Sequence, residues 1–209
     1  MSDATLGDLQ GPAGNTYDKY ETRNPVARRL VAGFLKELDA QVRWSGATSV
    51  LDVGCGEGIG TTRMADVLPG ARVVGLDVAD PGLLAEWAAR AHDRIEFVAA
   101  SAYDLPFADG SFDLVSGIEV FEHLERPERA LAEMARVSRR GLLVSVPWEP
   151  VWRAMNMAAG RYVRSYGNTP GHINHWTRRG FVALAGTAGE VVAVRRPFPW
   201  TMVAVHVGP

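Results

Sequence analysis

Short apolar runs rich in β-branched residues alternate with longer helical patterns along most of the chain. A run of this kind, bounded by turn residues, predicts a β-strand that is buried within a sheet. The runs lie at 49–53, 72–76, 95–99, 113–116 and 141–146. Because helical stretches separate most of them, the pattern predicts a parallel α/β sheet with right-handed crossover connections.

Both ends of this pattern add further elements. Residues 25–42 carry apolar side chains at a spacing close to 3.6, which predicts an amphipathic helix before the first strand. Apolar runs at 191–194 and 201–207 are separated by the short connection 195–200, which leaves no room for a crossover helix. The last two strands are therefore expected to pair antiparallel, in a mostly parallel sheet of seven strands with helices on both faces.

A length of 209 residues suits one domain with modest extensions. We predict a flexible leader over 1–24, which includes a lid segment with Tyr20, and a single domain over 25–209. A second lid is predicted as an insertion at about 148–170, where apolar residues alternate with arginines as in an amphipathic helix over an apolar pocket. A helix simply packed on the domain would produce the same pattern.

The composition narrows the function classes. Hydrophobic residues make up 47% and charged residues 22% of the chain, which is ordinary for a globular protein. Lys and Arg number 22 against 24 Asp and Glu, so no overall basic excess favours nucleic acid. The single cysteine, Cys55, excludes an intrachain disulfide, and no apolar run is long enough to span a membrane. We expect a cytoplasmic monomer or homodimer that acts on a small molecule.

A glycine-rich segment, Asp52-Val53-Gly54-Cys55-Gly56-Glu57-Gly58, follows the first predicted strand and precedes the helical stretch 61–68. Glycines let a backbone turn sharply and approach a ligand closely, while Asp52 can hold the turn or accept from a ligand amine. The spacing G-x-G-x-G differs from the dinucleotide fingerprint G-x-G-x-x-G. Asp77 ends the next strand, where its carboxylate can accept from both hydroxyls of a ribose. A purely structural turn and a nicotinamide-dependent oxidoreductase are the alternatives.

At these residues the chain resembles the class I S-adenosylmethionine-dependent methyltransferases, in particular the type 11 group that includes quinone-biosynthesis enzymes. The resemblance extends from about residue 50 to residue 147 and rests on four segments in order, which are 50–58, Asp77, 101–107 and 111–115. It implies a Rossmann-like sheet with an antiparallel C-terminal strand. It also implies S-adenosylmethionine (SAM) as the cofactor.

The resemblance also assigns site residues. It places Gly54 and Gly56 against the methionine part of SAM, Asp77 at the ribose, and Ser101 with Ala102 beside the adenine. The complete predicted cofactor site is Asp52, Gly54, Cys55, Gly56, Gly58, Asp77, Val78, Ser101, Ala102, Tyr103, Gly117 and Tyr20. The family usually has aspartate at the position of Ser101, so a weaker hydrogen bond to the adenine amino group and a lower cofactor affinity are expected.

A cluster of acids and histidines supplies the second candidate site. Glu119, Glu122 and His123 follow the fourth strand with the spacing i, i+3 and i+4, which would place them on one face of a predicted helix. With His172 or His175 as a further ligand, such a group can bind Mg²⁺, Mn²⁺ or a similar divalent ion.

The same E-x-x-E-H pattern resembles two metal-dependent branches of the superfamily, which methylate polyprenyl catechols and the 2′-hydroxyl at the ends of small RNAs. The predicted metal ligands are Glu119, Glu122, His123 and His172. Metal-free relatives carry an acid–histidine pair here as well, and in that case the acids favour a helix N-terminus while His123 packs at the sheet edge.

We therefore expect methyl transfer to a small, partly apolar acceptor, on an oxygen such as a hydroxyl or catechol. His123, His172 and His175 are the candidate catalytic residues, because an imidazole can take up a proton near neutral pH. An apolar lid would suit a hydrophobic acceptor or a transient membrane contact that collects one. The alternative is a SAM-binding protein that does not transfer methyl, such as a cyclase or a regulator.

Overall fold

A computed structural model describes residues 24–208. Its sheet has seven strands in the spatial order β3-β2-β1-β4-β5-β7-β6. The strands are β1 Ser49–Val53, β2 Arg72–Asp77, β3 Ile95–Ala99, β4 Phe112–Ile118, β5 Ser138–Pro147, β6 Glu190–Arg195 and β7 Trp200–His206. The helices are α1 Pro25–Ser45, α2 Ile59–Val67, α3 Pro81–Arg90, α4 Pro127–Val137, α5 Glu149–Ala158 and α6 Arg178–Ala185, with a short 3₁₀ turn at Val163–Ser165.

The direction of the strands follows the prediction. β1 to β5 pair in parallel, whereas β7 is antiparallel to both β5 and β6. The mostly parallel sheet with an antiparallel C-terminal strand is thereby confirmed. β4 and β7 are buried along almost their whole length, as expected for strands covered on both faces.

Two apolar cores lie on opposite faces of the sheet. Side chains of α4 and α6, including Met134 and Phe181, pack on one face. Side chains of α1 and α2, including Phe34 and Met64, pack on the other. Neighbouring residues of one strand face different cores, since Leu51 belongs to the first and Val50 to the second. Helices thus cover both faces, as predicted.

The strand order places a crevice between β1 and β4. β1 lies between β2 and β4, so the chain leaves β1 toward one side of the sheet and reaches β4 on the other. Asp52 of β1 and Ser116 of β4 are aligned partners near the carboxyl ends of these strands. Ligands of open α/β sheets bind at such a reversal of strand order, so the segments that follow β1 and β4 form the candidate site.

The predicted leader and N-terminal lid lie outside the described residues, apart from Asn24. The Asn24 side chain accepts from the backbone N–H groups of Val26 and Ala27 and caps α1. The insertion after β5 contains α5, so a helix does form there, but its role as a lid stays a prediction. Within residues 24–208, no helix combines the length and the apolar character needed to cross a membrane.

Candidate active site

The glycine turn folds back over the end of β2. The backbone N–H groups of Gly54 and Cys55 both donate to the carbonyl of Leu76, at 2.7 and 3.1 Å. Gly54 has φ +73°, and a Cβ at this position would lie 2.4 Å from Cγ2 of Val120. The turn therefore needs glycine both for its backbone conformation and for its packing against the segment that follows β4.

Asp52 holds this turn to its neighbours. Its buried carboxylate accepts from the hydroxyl of Thr61 on α2 and from that of Ser116 on β4, each at 2.8 Å. Burial raises the pKa of Asp52 to about 6, against the lowering effect of these two hydrogen bonds. Of the two roles expected for Asp52, holding the turn is the one that the contacts display. Its contact with a cofactor stays a prediction.

Asp77 lies across the turn from Asp52. Its two carboxylate oxygens accept from the backbone N–H groups of Gly56 and Val78, each at 2.7 Å. A carboxylate oxygen accepts more than one hydrogen bond, so both oxygens keep capacity for a ligand hydroxyl. Burial raises the pKa of Asp77 above its ordinary value. Trp87 of α3 completes the turn by donating its indole N–H to the carbonyl of Gly56 at 2.8 Å.

Cys55 contributes no nucleophile to the turn. Burial raises the pKa of its thiol, and the charges of Asp52 and Asp77 act in the same direction. The thiol is therefore in its neutral form, which is consistent with a residue that packs in the turn.

The segment Ser101 to Tyr103 follows β3 at the same edge of the sheet. The hydroxyl of Ser101 accepts from the N–H of Tyr103 at 3.2 Å. The Tyr103 hydroxyl accepts from the N–H of Glu125 at 2.9 Å, and its ring lies 4.8 Å from the Arg126 guanidinium. Tyr103 thus connects this segment to the one after β4. Contacts of Ser101, Ala102 and Tyr103 with adenine stay predictions.

Gly117 and Tyr20 were also predicted to contact the cofactor. A Cβ at Gly117 would lie 2.9 Å from Cε of Met134 and 3.1 Å from the Phe121 ring, so packing against α4 accounts for this glycine. Tyr20 lies outside the described residues.

The predicted helix over Glu119 to His123 is wrong. Glu119 has φ +61°, the residues Phe121 to His123 form a turn, and α4 begins only at Pro127. The physical reason is that a segment distant in the sequence donates hydrogen bonds to backbone carbonyl groups here. In a helix, those carbonyl groups would accept from N–H groups of the helix itself. The carbonyl of Glu122 accepts from the N–H groups of Ile173 and Asn174, at 2.9 and 3.0 Å.

The side chain of Asn174 reinforces this arrangement. Its amide donates to the carbonyl oxygens of Phe121 and Leu124, at 3.0 and 2.6 Å, and the indole of Trp176 also donates to Phe121. The segment that contains the predicted loop histidines is therefore bound to the turn after β4.

This contact brings three of the four predicted metal ligands together. One ligand atom each of Glu122, His123 and His172 lies within 4.8 Å of the others. Glu122 and His172 are buried, while His123 is exposed. Glu119 does not join them, because its carboxylate accepts from the indole N–H of Trp200 at 2.6 Å and from the hydroxyl of Ser145 at 3.1 Å.

Both imidazoles of the cluster are oriented through Nδ1. Nδ1 of His123 lies 2.9 Å from the carbonyl oxygen of Gly171, and Nδ1 of His172 lies 2.5 Å from Oε1 of Glu149. A carbonyl or a carboxylate only accepts, so Nδ1 carries the hydrogen in each ring. In the neutral form of each ring, Nε2 then carries the lone pair.

Glu149 is a further candidate site residue, which the sequence pattern did not predict. It is the first residue of α5, only 1% of its surface is exposed, and Oε2 has no hydrogen-bond partner among residues 24–208. Its position directly after β5 was the available signal, because side chains that follow parallel strands meet at one edge of the sheet.

His175 lies apart from the cluster. It is exposed, and its Nε2 lies 2.9 Å from the amide oxygen of Asn168. It lines a groove of about 400 Å³ together with Glu149, Pro150, Arg153, Ala154, Met157 and Tyr166. Glu149 thus borders the groove and also contacts His172 of the cluster.

Known proteins are similar to this chain in sequence. A family model described as a methyltransferase domain matches residues 51–145. An uncharacterized methyltransferase of Mycobacterium avium is 33% identical over 184 residues, which are 76% of this chain and 71% of that protein. A fatty-acid O-methyltransferase of Mycolicibacterium smegmatis is 39% identical over 94 residues, which are 44% of this chain and 34% of that protein.

Solved structures agree in fold. Magnesium protoporphyrin IX methyltransferase from Synechocystis PCC 6803, with bound SAH, has a TM-score of 0.63 at 19% identity and covers 91% of each chain. Several curated relatives are longer than the region they share with this chain. The shared region spans 52% of a Mycolicibacterium gilvum methyltransferase and 27% of a Synechococcus protein. From the family model, the Mycobacterium relative and the fold together, the chain belongs to the class I SAM-dependent methyltransferases.

Proposed function

We propose that this methyltransferase acts on an oxygen of a small, partly apolar acceptor, and that the acceptor binds at Glu122, His123 and His172. The observation that carries the proposal is the convergence of these three side chains, with ligand atoms within 4.8 Å, at the turn that follows β4. The glycine turn follows β1, on the other side of the same crevice. Cofactor and acceptor would then meet at the reversal of strand order.

The cofactor residues fit SAM. Asp77 offers carboxylate oxygens with remaining acceptor capacity, and a Cβ at Gly56 would meet no atom within 4 Å, so the backbone there is open to a ligand. SAM, when bound, supplies an electrophilic methyl group on its sulfonium sulfur. The chain would contribute alignment of the attacking oxygen, exclusion of water and removal of the acceptor proton.

Proton removal falls to the two imidazoles in this proposal. Nδ1 of each ring donates to a fixed acceptor, so Nε2 of His123 or His172 can take the proton of an acceptor hydroxyl. The carboxylate of Glu149 would fix the ring of His172 and stabilise its protonated form, as the acid of a carboxylate–histidine pair does.

A divalent ion is the second way in which the cluster can work. One carboxylate and two imidazoles form a donor set that suits a borderline divalent ion, and histidine ligands of metals usually donate their other N–H to a carboxylate or carbonyl. Glu122, His123 and His172 would hold such an ion. Its chemistry would be to lower the pKa of a bound hydroxyl.

Two relatives support oxygen as the acceptor atom. Besides the fatty-acid O-methyltransferase, an O-methyltransferase of Aspergillus sclerotiorum named resE is 32% identical over 130 residues, which are 60% of this chain and 47% of that protein. Both names denote methylation of oxygen. The carboxylate and imidazole groups of the cluster are also suited to deprotonating a hydroxyl, which is consistent with an oxygen acceptor.

Labelled methyl transfer tests the proposal. The full chain is incubated with SAM carrying a ¹³C methyl group and with catechols, phenols, fatty acids and amines in separate reactions. We expect label on oxygen, which the carbon chemical shift of the product identifies. Label on nitrogen, carbon or sulfur would contradict the proposal. Binding of SAM without label transfer to any acceptor class would favour the alternative that the protein does not transfer methyl.

A further inference from the structure

The segment after β5 has an unusual charge. Between residues 150 and 189 there are five arginines and no acidic residue, namely Arg153, Arg161, Arg164, Arg178 and Arg179. The whole chain has 22 basic and 24 acidic side chains, which leaves 17 basic against 24 acidic ones for the rest. One segment is therefore strongly basic while the remainder of the protein is acidic.

The first part of this segment forms one connected unit. Arg153 of α5 donates from Nε to the carbonyl of Tyr166 at 3.0 Å, and Asn156 donates from its amide to the carbonyl of Gly167 at 2.9 Å. The N–H of Arg161 in turn donates to the carbonyl of Asn156 at 2.8 Å. We call this unit, residues 149–167, the α5 tip.

Large apolar side chains are exposed on and beside the α5 tip. Met157 is 43% exposed, Val163 58% and Tyr166 74%, and Ile173 in the adjoining segment is 53% exposed. These are four of the nine large apolar residues that are exposed among residues 24–208. Arg161 and Arg164 are exposed between them. Apolar and basic side chains thus alternate over a short stretch of surface.

We propose that the α5 tip docks on an anionic lipid bilayer. Exposed apolar side chains beside arginines match the boundary between headgroups and acyl chains, where the apolar groups enter and the guanidinium groups bind lipid phosphates. The acidic remainder of the protein would be repelled by the same surface, which fixes the orientation of the protein. The groove beside Met157 and Tyr166 would then face the bilayer, with Glu149 at its border.

A bilayer fits these observations better than nucleic acid does. Nucleic acids are bound by basic side chains and by aromatic rings that stack on bases, so Arg164 and Tyr166 would suit either ligand. The exposed aliphatic side chains of Met157 and Val163 have no role in such binding, whereas they can enter a bilayer. The proposal does not depend on the acceptor or on methyl transfer, because docking is measured without cofactor.

Flotation with lipid vesicles tests the docking. The full chain is mixed with vesicles of phosphatidylcholine alone, or of phosphatidylcholine with phosphatidylglycerol. We expect binding to the mixed vesicles, and binding weaker by about tenfold or more for the double variant Arg161→Glu and Arg164→Glu. A second double variant, Val163→Ser and Tyr166→Ser, should also bind more weakly. Circular dichroism checks that each variant is folded.

A matched control has the same change of charge at the other end of the sheet. Arg72 begins β2 and Arg140 lies near the start of β5, and both are exposed. The double variant Arg72→Glu and Arg140→Glu should bind mixed vesicles like the unaltered protein. Equal losses in both arginine variants, or equal binding to the two vesicle types, would overturn the proposal. Tight binding of single-stranded RNA without vesicle binding would overturn it as well.

Discussion

Nδ1 of His172 donates to Oε1 of Glu149 across 2.5 Å, between two side chains that are both buried. The two residues are brought together by the fold, since α5 begins with Glu149 directly after β5 while His172 lies in the segment that contacts the turn after β4. The pair orients one imidazole of the proposed acceptor site.

Replacing Glu149 should therefore slow catalysis without disturbing the cofactor. We expect Glu149→Gln to lower kcat about tenfold and Glu149→Ala about a hundredfold, because partners that orient a histidine typically contribute this much. The Kd for S-adenosylhomocysteine should stay within about twofold of the unaltered value, since Glu149 follows β5, which β4 separates from β1 and the glycine turn. Steady-state kinetics and calorimetry measure the two quantities.

The control for this experiment is Glu190→Gln, at the exposed start of β6. It should leave kcat unchanged. A loss of cofactor affinity as large as the loss of kcat in the Glu149 variants would show that Glu149 supports the fold as a whole, contrary to its assigned role.

Asp77 should determine cofactor affinity. Asp77→Asn removes the charge that would accept from the ribose hydroxyls, and hydrogen bonds to a charged group contribute about 1.5–3 kcal/mol each. We expect the Kd for S-adenosylhomocysteine to rise by about tenfold to a hundredfold, measured by calorimetry. Glu96→Gln, which alters only an exposed ion pair with Arg72, serves as the control. An unchanged Kd for Asp77→Asn would remove Asp77 from the cofactor site.

Asp52 should give the folded protein a specific pH dependence. Its pKa is raised from 3.8 to about 6, so the folded state binds its proton more tightly than the unfolded state does. The stabilising contribution of the neutral form is fully present below pH 3.8 and is lost as the pH rises through 6. The loss should approach about 3 kcal/mol, since one pKa unit corresponds to about 1.4 kcal/mol.

Urea unfolding of the unaltered protein and of Asp52→Asn, between pH 4.5 and pH 7, isolates this contribution. The free energy of unfolding of the unaltered protein should fall relative to that of the variant as the pH rises. Parallel pH profiles for the two proteins would contradict the raised pKa of Asp52.

Metal removal distinguishes the two mechanisms of proton removal that we propose for the acceptor site, which are a divalent ion and the histidines alone. If an ion is held by Glu122, His123 and His172, dialysis against EDTA should abolish methyl transfer, and Mg²⁺, Mn²⁺ or Zn²⁺ should restore it. Glu122→Gln should then also raise the metal concentration needed for half-maximal activity by about tenfold or more. Full activity after EDTA treatment, in the unaltered protein and in Glu122→Gln, would assign proton removal to the histidines alone.

The sheet could be predicted because each strand can be recognised from a short stretch of the sequence. Each parallel strand is a short apolar run, and the runs predicted for β1 and β3 coincide with the strands observed. The short connection before β7 was enough to predict antiparallel pairing. Apolar periodicity and connection length therefore determine most of the architecture.

The geometry of the cluster of Glu122, His123 and His172 could be predicted only in part, because contacts between distant segments determine it. The spacing of Glu119, Glu122 and His123 favoured a helix, but hydrogen bonds from Ile173 and Asn174 hold a turn there instead. The Glu149 contact with His172 joins residues from two segments that no local pattern relates. The fold brings Glu122, His123 and His172 together, which the sequence predicted as a group, but their roles stay predictions.

The most direct test of methyl transfer at this cluster compares two histidine variants. His172→Gln alters the cluster, and His206→Gln alters an exposed histidine at the end of β7, which pairs with Gly141 near the start of β5. Transfer of labelled methyl to an oxygen acceptor and binding of S-adenosylhomocysteine are measured for both. We predict that His172→Gln lowers kcat about a hundredfold or more with cofactor binding intact, while His206→Gln changes neither. O-methylation by His172→Gln at the rate of the unaltered enzyme would contradict the account.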